Sequence, residues 1–124
     1  MMNATILIIE DEKSLANHYA QLLASMGLYP EICRTGKIAM ARLAEELSPP
    51  ALILLDLLLP DIDGAQLLDA IVANPRFNDT KVIIITAYQD WASELQQKNS
   101  RAANVMIKPI DFNDLQEEVE RLVV

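Results

Sequence analysis

Four short apolar runs recur along the chain: Ile6-Leu7-Ile8-Ile9, Leu52-Ile53-Leu54-Leu55, Val82-Ile83-Ile84-Ile85 and Val105-Met106-Ile107. Their length, the β-branched content of three of them and the polar residues that close each one predict strands covered on both faces of a parallel sheet. A fifth and more polar stretch, Tyr29-Pro30-Glu31-Ile32-Cys33-Arg34, carries a proline and fits a sheet edge. Helical spacing fills the intervals. Leu15, Tyr19, Leu22, Leu23 and Met26 share one face before Gly27, which suits the left-handed residue past a helix end. Ile38, Ala41, Leu43 and Leu47 predict a second helix before Pro49-Pro50, and Leu67, Leu68, Ile71 and Val72 a third before Asn74-Pro75. Between Asp90 and Ser100, Trp91, Ala92 and Leu95 give way to polar residues, which predicts the least stable helix. Phe112, Leu115, Val119, Leu122 and Val123 define the last one, with Asp111 as its cap.

Strand and helix thus alternate five times, which the right-handed crossover rule folds into a doubly wound five-stranded parallel sheet with helices on both faces. At 124 residues with 52% hydrophobic content, residues 1–124 are expected to form a single domain. Eighteen acidic against ten basic residues give a formal charge of -8, with no Lys/Arg cluster, which argues against direct contact with nucleic acid or an anionic membrane. Cys33, the single cysteine, excludes an internal disulfide and a cysteine-rich metal site. The residues before the first run carry no basic stretch, and that run is too short for a signal or membrane segment, so a cytoplasmic location is expected.

Ligands of open parallel sheets bind outside the carboxyl ends of the strands. The first run ends in Glu10-Asp11, the second in Asp56, the third in Thr86 and the fourth in Lys108-Pro109. Alone, Asp56 reads as a turn or cap residue, Lys108 as a solvated surface lysine and Thr86 as a hydroxyl bonded to backbone. Together they place three carboxylates around one cavity, which repel by about 4 kcal/mol per pair at 4 Å and an effective dielectric near 20. Lys108 offsets one charge, and a hard divalent ion, Mg²⁺, would offset the remainder.

These elements resemble the receiver domain of two-component response regulators over essentially the whole chain. The resemblance rests on Glu10-Asp11 after the first strand, on Asp56 followed by Leu57-Leu58-Leu59-Pro60 and Asp63-Gly64, on Thr86-Ala87, and on Lys108-Pro109. It implies the flavodoxin-like strand order 2-1-3-4-5 and a phosphorylation-controlled switch, not an enzyme beyond its own phosphorylation and dephosphorylation. Asp56 would accept a phosphoryl group from a phosphohistidine. Glu10, Asp11, Asp56 and the Leu58 backbone carbonyl would hold Mg²⁺, with Glu10 acting through water. Lys108, the Thr86 hydroxyl and the Ala87 amide would meet the phosphoryl oxygens. A cis Lys108-Pro109 bond is implied as well. The partners implied are a sensor histidine kinase or histidine phosphotransfer protein, and a downstream target or fused output domain. A homodimer through the fourth helix, fifth strand and fifth helix is a further option.

The chain departs from the family pattern at Val105, three residues before Lys108, where an aromatic rotamer switch is usual. Leu58 and Tyr88, two residues beyond Asp56 and Thr86, are bulky and are expected to restrict the hydrolytic water and prolong the phosphoryl lifetime. Tyr88 and Trp91 are expected near the start of the fourth helix on a partner-binding face, with packing of the Trp91 ring against the core as the alternative reading. His18 reads as a surface or boundary residue, Cys33 as a packing residue, and Glu117-Glu118-Val119-Glu120 as a solvated helix face. Phosphatases of the haloacid dehalogenase type need a second Asp where Leu58 stands. A flavin mononucleotide carrier needs a phosphate-cradling loop where Glu10-Asp11-Glu12-Lys13 stands. A receiver-like interaction module that no longer takes phosphate remains the alternative; the full set of charged residues speaks against it, while Val105 leaves room for it.

Overall fold

Strands β1 (Thr5–Ile9), β2 (Tyr29–Cys33), β3 (Leu52–Asp56), β4 (Lys81–Thr86) and β5 (Ala102–Ile107) alternate with helices α1 (Lys13–Ser25), α2 (Gly36–Ala44), α3 (Gly64–Ala73), α4 (Gln89–Lys98) and α5 (Phe112–Val123). This computed structural model describes residues 4–45, 48–98 and 102–124. The strands form one parallel sheet in the order β2-β1-β3-β4-β5, the expected doubly wound topology.

The unbroken apolar runs follow from a sheet with a core on each face, since successive strand residues point to opposite sides. Leu7, Ile9, Ile53, Leu55, Val82 and Ile84 face one core, completed by Ala39 and Leu43 of α2 and by Leu67, Leu68 and Ile71 of α3. Ile6, Ile8, Leu52, Leu54, Ile83 and Ile85 face the other, beneath Ala16, Tyr19 and Leu23 of α1 and Leu115 and Val119 of α5. Caps end the helices where the sequence offers them. Asp63 accepts from the Ala65 amide, Asp111 accepts from the Asn113 and Asp114 amides, and Gly27 takes φ +81° after α1.

Three expectations need correction. The buried face of α2 is Gly36, Ala39 and Leu43, while Ile38 and Ala41 are exposed. Two apolar stripes compete on this helix, and contact with the sheet selects the one whose small residues allow close approach. β5 is covered only in part: Val105 packs half-buried against one core and Met106 half-buried against the other, while Ile107 is exposed, because the last strand has a neighbour on one side only. A short 3-10 turn, Pro75–Phe77, follows α3 where the sequence suggested only a stop. Leu47, Asn99 and Ser100 lie outside the described residues, as do Met1, Met2 and Asn3 and the side chains of Trp91, Ala92 and Leu95. Among the described residues no helix is long and apolar enough to cross a membrane.

Candidate functional site

Parallel strands deliver their carboxyl ends to one rim, and the residues singled out at the strand ends converge there. Asp56 is the last residue of β3 and Thr86 the last of β4, while Glu10 and Lys108 follow β1 and β5 directly. Glu10, Asp56 and Thr86 are all buried, at 1%, 4% and 1% exposure. One carboxylate oxygen from each of Glu10, Asp11 and Asp56 lies within 4.8 Å of the others. The Lys108 ammonium bridges two of them, 3.1 Å from Glu10 Oε1 and 2.9 Å from Asp56 Oδ2. The other Asp56 oxygen, Oδ1, accepts from the Leu58 amide at 3.0 Å. Glu10 Oε2 accepts from the Glu12 amide at 3.1 Å, and Thr86 Oγ1 from the Tyr88 amide at 3.1 Å. Leu58, Ala87 and Tyr88 line the open cleft above Asp56 together with Asp11 and Lys108.

Three carboxylates against one ammonium leave two negative charges in a largely buried cluster. Burial, reinforced by the Asp56 charge and opposed by the Glu12 amide, pushes the Glu10 carboxyl up to about 7. Burial alone would depress Lys108, yet its hydrogen bonds and charge contacts with Asp56 and Glu10 raise it above its ordinary value. The two directions follow from one imbalance: a single ammonium is shared between two acids, which secures the cation's charge and leaves the most buried acid undercompensated. An all-oxygen donor set with two uncompensated charges fits a hard divalent ion such as Mg²⁺.

All of Glu10, Asp11, Asp56, Leu58, Thr86, Ala87 and Lys108 therefore gather at one rim, and the Lys108-Pro109 bond is cis. Val105 stands half-buried on β5 in the position without an aromatic. His18 is exposed and meets Phe112 edge-on at 6.0 Å, and Cys33 is buried. Sequence reasoning passed over two residues that contact the loops of the site. Arg34 donates from Nε and Nη2 to the Asp11 carbonyl, and Asp61 accepts from the Gly36 and Lys37 amides. Applying the strand-end rule to β2 would have found Arg34. Asp61, inside a loop after Pro60, carries no comparable signal.

The model of the response regulator receiver domain matches residues 6–120. The chain belongs to that family. As a receiver domain of two-component signalling it is 33% identical over 117 residues to the transcriptional regulatory protein DpiA of Escherichia coli (strain K12), covering 94% of this chain and 51% of DpiA. The chain thus spans about half the length of that relative. The crystal structure of the signal receiver domain of a putative Luxo repressor protein from Vibrio parahaemolyticus superposes with a TM-score of 0.83 at 36% identity, covering 97% of this chain and 89% of that one. The response regulator protein TrrA from Thermotoga maritima, solved in complex with Mg(2+)-BeF, matches with a TM-score of 0.81 at 25% identity, over 97% and 99% of the two chains.

Proposed function

We propose that this receiver accepts a phosphoryl group on Asp56 from a phosphohistidine of a sensor histidine kinase or histidine phosphotransfer protein, in a Mg²⁺-dependent reaction. The observation that carries this reading is Asp56 itself, buried at the rim between Lys108 and the Leu58 amide and within 4.8 Å of two further carboxylates. An Asp56 oxygen forms the new P–O bond as the P–N bond to the imidazole breaks, and the donor histidine keeps that bonding pair and takes up a proton. Glu10, Asp11, Asp56 and the Leu58 carbonyl would hold the ion, which supplies charge neutralisation for the phosphoryl oxygens. Lys108 already sits on the acceptor carboxylate and is placed to pair with those oxygens. The Thr86 hydroxyl accepts from Tyr88, which leaves its proton to donate toward the cleft, and the Ala87 amide would add a second donor.

The chain acts only on its own aspartate and passes the signal by contact with a downstream target or a fused output domain. The open edge of β5, flanked by α4 and α5, is where a second copy of this chain would dock. A cytoplasmic site of action follows from the kinase partner. A receiver-like interaction module that no longer uses phosphate is the competing reading: the full set of charged residues speaks against it, and Val105 at the usual aromatic position leaves room for it. Intact-protein mass spectrometry after incubation with acetyl phosphate and Mg²⁺ separates the two. We expect an adduct of one phosphoryl group, absent in Asp56→Asn; an unchanged mass would support the competing module.

A further inference from the structure

We propose that Arg34 and Asp61 are positioning residues for the cation site, forming a clip that sets the distance between the two loops that supply its oxygen ligands. This rests on reading the rim as a Mg²⁺ site. One loop follows β1 and carries Asp11; the other follows β3 and carries Leu58. Both are tied to one short segment, the junction between β2 and α2.

On the first side, the Arg34 guanidinium donates twice to the Asp11 carbonyl, at 3.3 Å from Nε and 3.1 Å from Nη2. The Glu10 amide donates to the Cys33 carbonyl at 3.1 Å, so consecutive residues of one strand end hold consecutive residues of the other. On the second side, the two Asp61 oxygens accept from the Gly36 and Lys37 amides at 2.7 and 2.8 Å. These are the first amides of α2, which have no partner within the helix, and the Ile38 amide is taken by Thr35 Oγ1. The amides, that of Lys37 first, hold the Asp61 carboxyl below its ordinary value.

The loop bearing Asp61 is itself closed. Leu58 bridges Asp63 in antiparallel fashion, and the Gly64 amide donates to the Leu57 carbonyl at 3.1 Å. A hold on Asp61 therefore constrains Leu58 as well. Glycine at 36 gives this loop room against the helix: a Cβ there would stand 2.0 Å from Ile62 Cγ1, and the Ile62 side chain would have to shift. Mg²⁺ demands near-ideal octahedral geometry at short bond lengths, so errors in loop spacing are costly. Groups that orient ligands without touching the ion typically change metal affinity by about 10 to 100-fold when removed.

Charge and positioning make opposite claims at Arg34. Removing a cation near a cation site tightens binding by charge alone, whereas removing a strut weakens it. At Asp61, Asn and Ala remove the same charge, but Asn keeps one acceptor. The test uses the 124-residue chain and its Arg34→Lys, Arg34→Met, Asp61→Asn and Asp61→Ala variants, with thermal unfolding in chelator as the check on folding. Mg²⁺ affinity is measured by calorimetry, and phosphorylation by acetyl phosphate is followed across a Mg²⁺ series. We expect Arg34→Met and Asp61→Ala to weaken Mg²⁺ binding about tenfold, with the maximal rate at saturating Mg²⁺ close to the parent's. Arg34→Lys and Asp61→Asn should fall between, and they carry the test alone if the larger changes prevent folding. Binding by either Arg34 variant as tight as the parent's or tighter overturns the proposal, as does equal loss in Asp61→Asn and Asp61→Ala. A parent chain that binds Mg²⁺ yet takes no phosphate sinks the proposed function and leaves the clip to be judged by calorimetry.

Discussion

Tyr19 is fully buried in the core under α1, and its hydroxyl has no hydrogen-bond partner among the described residues. A buried unsatisfied donor costs about 1 to 3 kcal/mol. Tyr19→Phe keeps the ring, including its tilted packing on Phe112 at 5.8 Å, and deletes only the orphan. It should raise the urea unfolding free energy by about 1 kcal/mol; a loss of that size would mean the hydroxyl has a partner after all. Cys33 offers a pH-linked test. Burial, aided by Glu31, pushes its thiol from 9.0 up to about 11. The sign follows from the unfolded state, which loses the proton first as pH rises, so the contribution to stability is complete below 9 and disappears as pH climbs through 11. Stability should fall by up to about 3 kcal/mol over that window. Cys33→Ala should show a shallower decline in denaturant titrations taken at pH 8, 9, 10 and 11, and an equal slope would contradict the assignment.

At the scale of elements, the loop after β3 is held by close approach. A Cβ at Gly64 would stand 2.5 Å from the Leu57 backbone, and backbone cannot step aside as the Ile62 side chain can at Gly36. Although alanine favours a helix over glycine by about 1 kcal/mol, Gly64→Ala should destabilise by on the order of 3 kcal/mol and cost more than Gly36→Ala. Chemical denaturation of both variants checks the order. The loops after β3 and β4 also present Leu58 and Tyr88, 58% and 55% exposed, at the mouth of the cleft above Asp56. With Asp56 phosphorylated as proposed, such apolar bulk would limit the approach of an attacking water to the acyl phosphate. Phosphate loss, followed by mass after removal of the donor, should therefore quicken in a Leu58→Asn, Tyr88→Glu variant. A rate unchanged or slower would count against shielding.

For the whole molecule, the acidic rim and the stability of the fold are one linked system. A ligand that binds only the folded chain stabilises it by about 2.7 kcal/mol at a hundredfold excess over its dissociation constant. Mg²⁺ should therefore raise the melting temperature beyond what sodium chloride of equal ionic strength achieves through screening of the net charge of -8. Asp11→Asn should remove most of that specific gain. Equal effects of the two salts in the parent chain would show that no defined ion site forms.

What the sequence determined by itself was whatever depends on local pattern. Uninterrupted apolar runs marked the strands with a core on each face, and Gly27 and Asp111 marked helix ends. Parallel strands must end at one rim, so the sequence alone places Glu10, Asp56, Thr86 and Lys108 in a common site. Tertiary structure alone decided which of two stripes on α2 is buried, because the choice lies with the surface it packs on. It also left Ile107 of β5 exposed, since an apolar run gives no sign of the incomplete cover it meets as the last strand of the sheet. The links from Arg34 to Asp11 and from Asp61 to Gly36 and Lys37 span 23, 25 and 24 residues. Side chains that bond a distant backbone leave no periodicity or spacing to read, because the partner amide or carbonyl is the same whatever residue carries it.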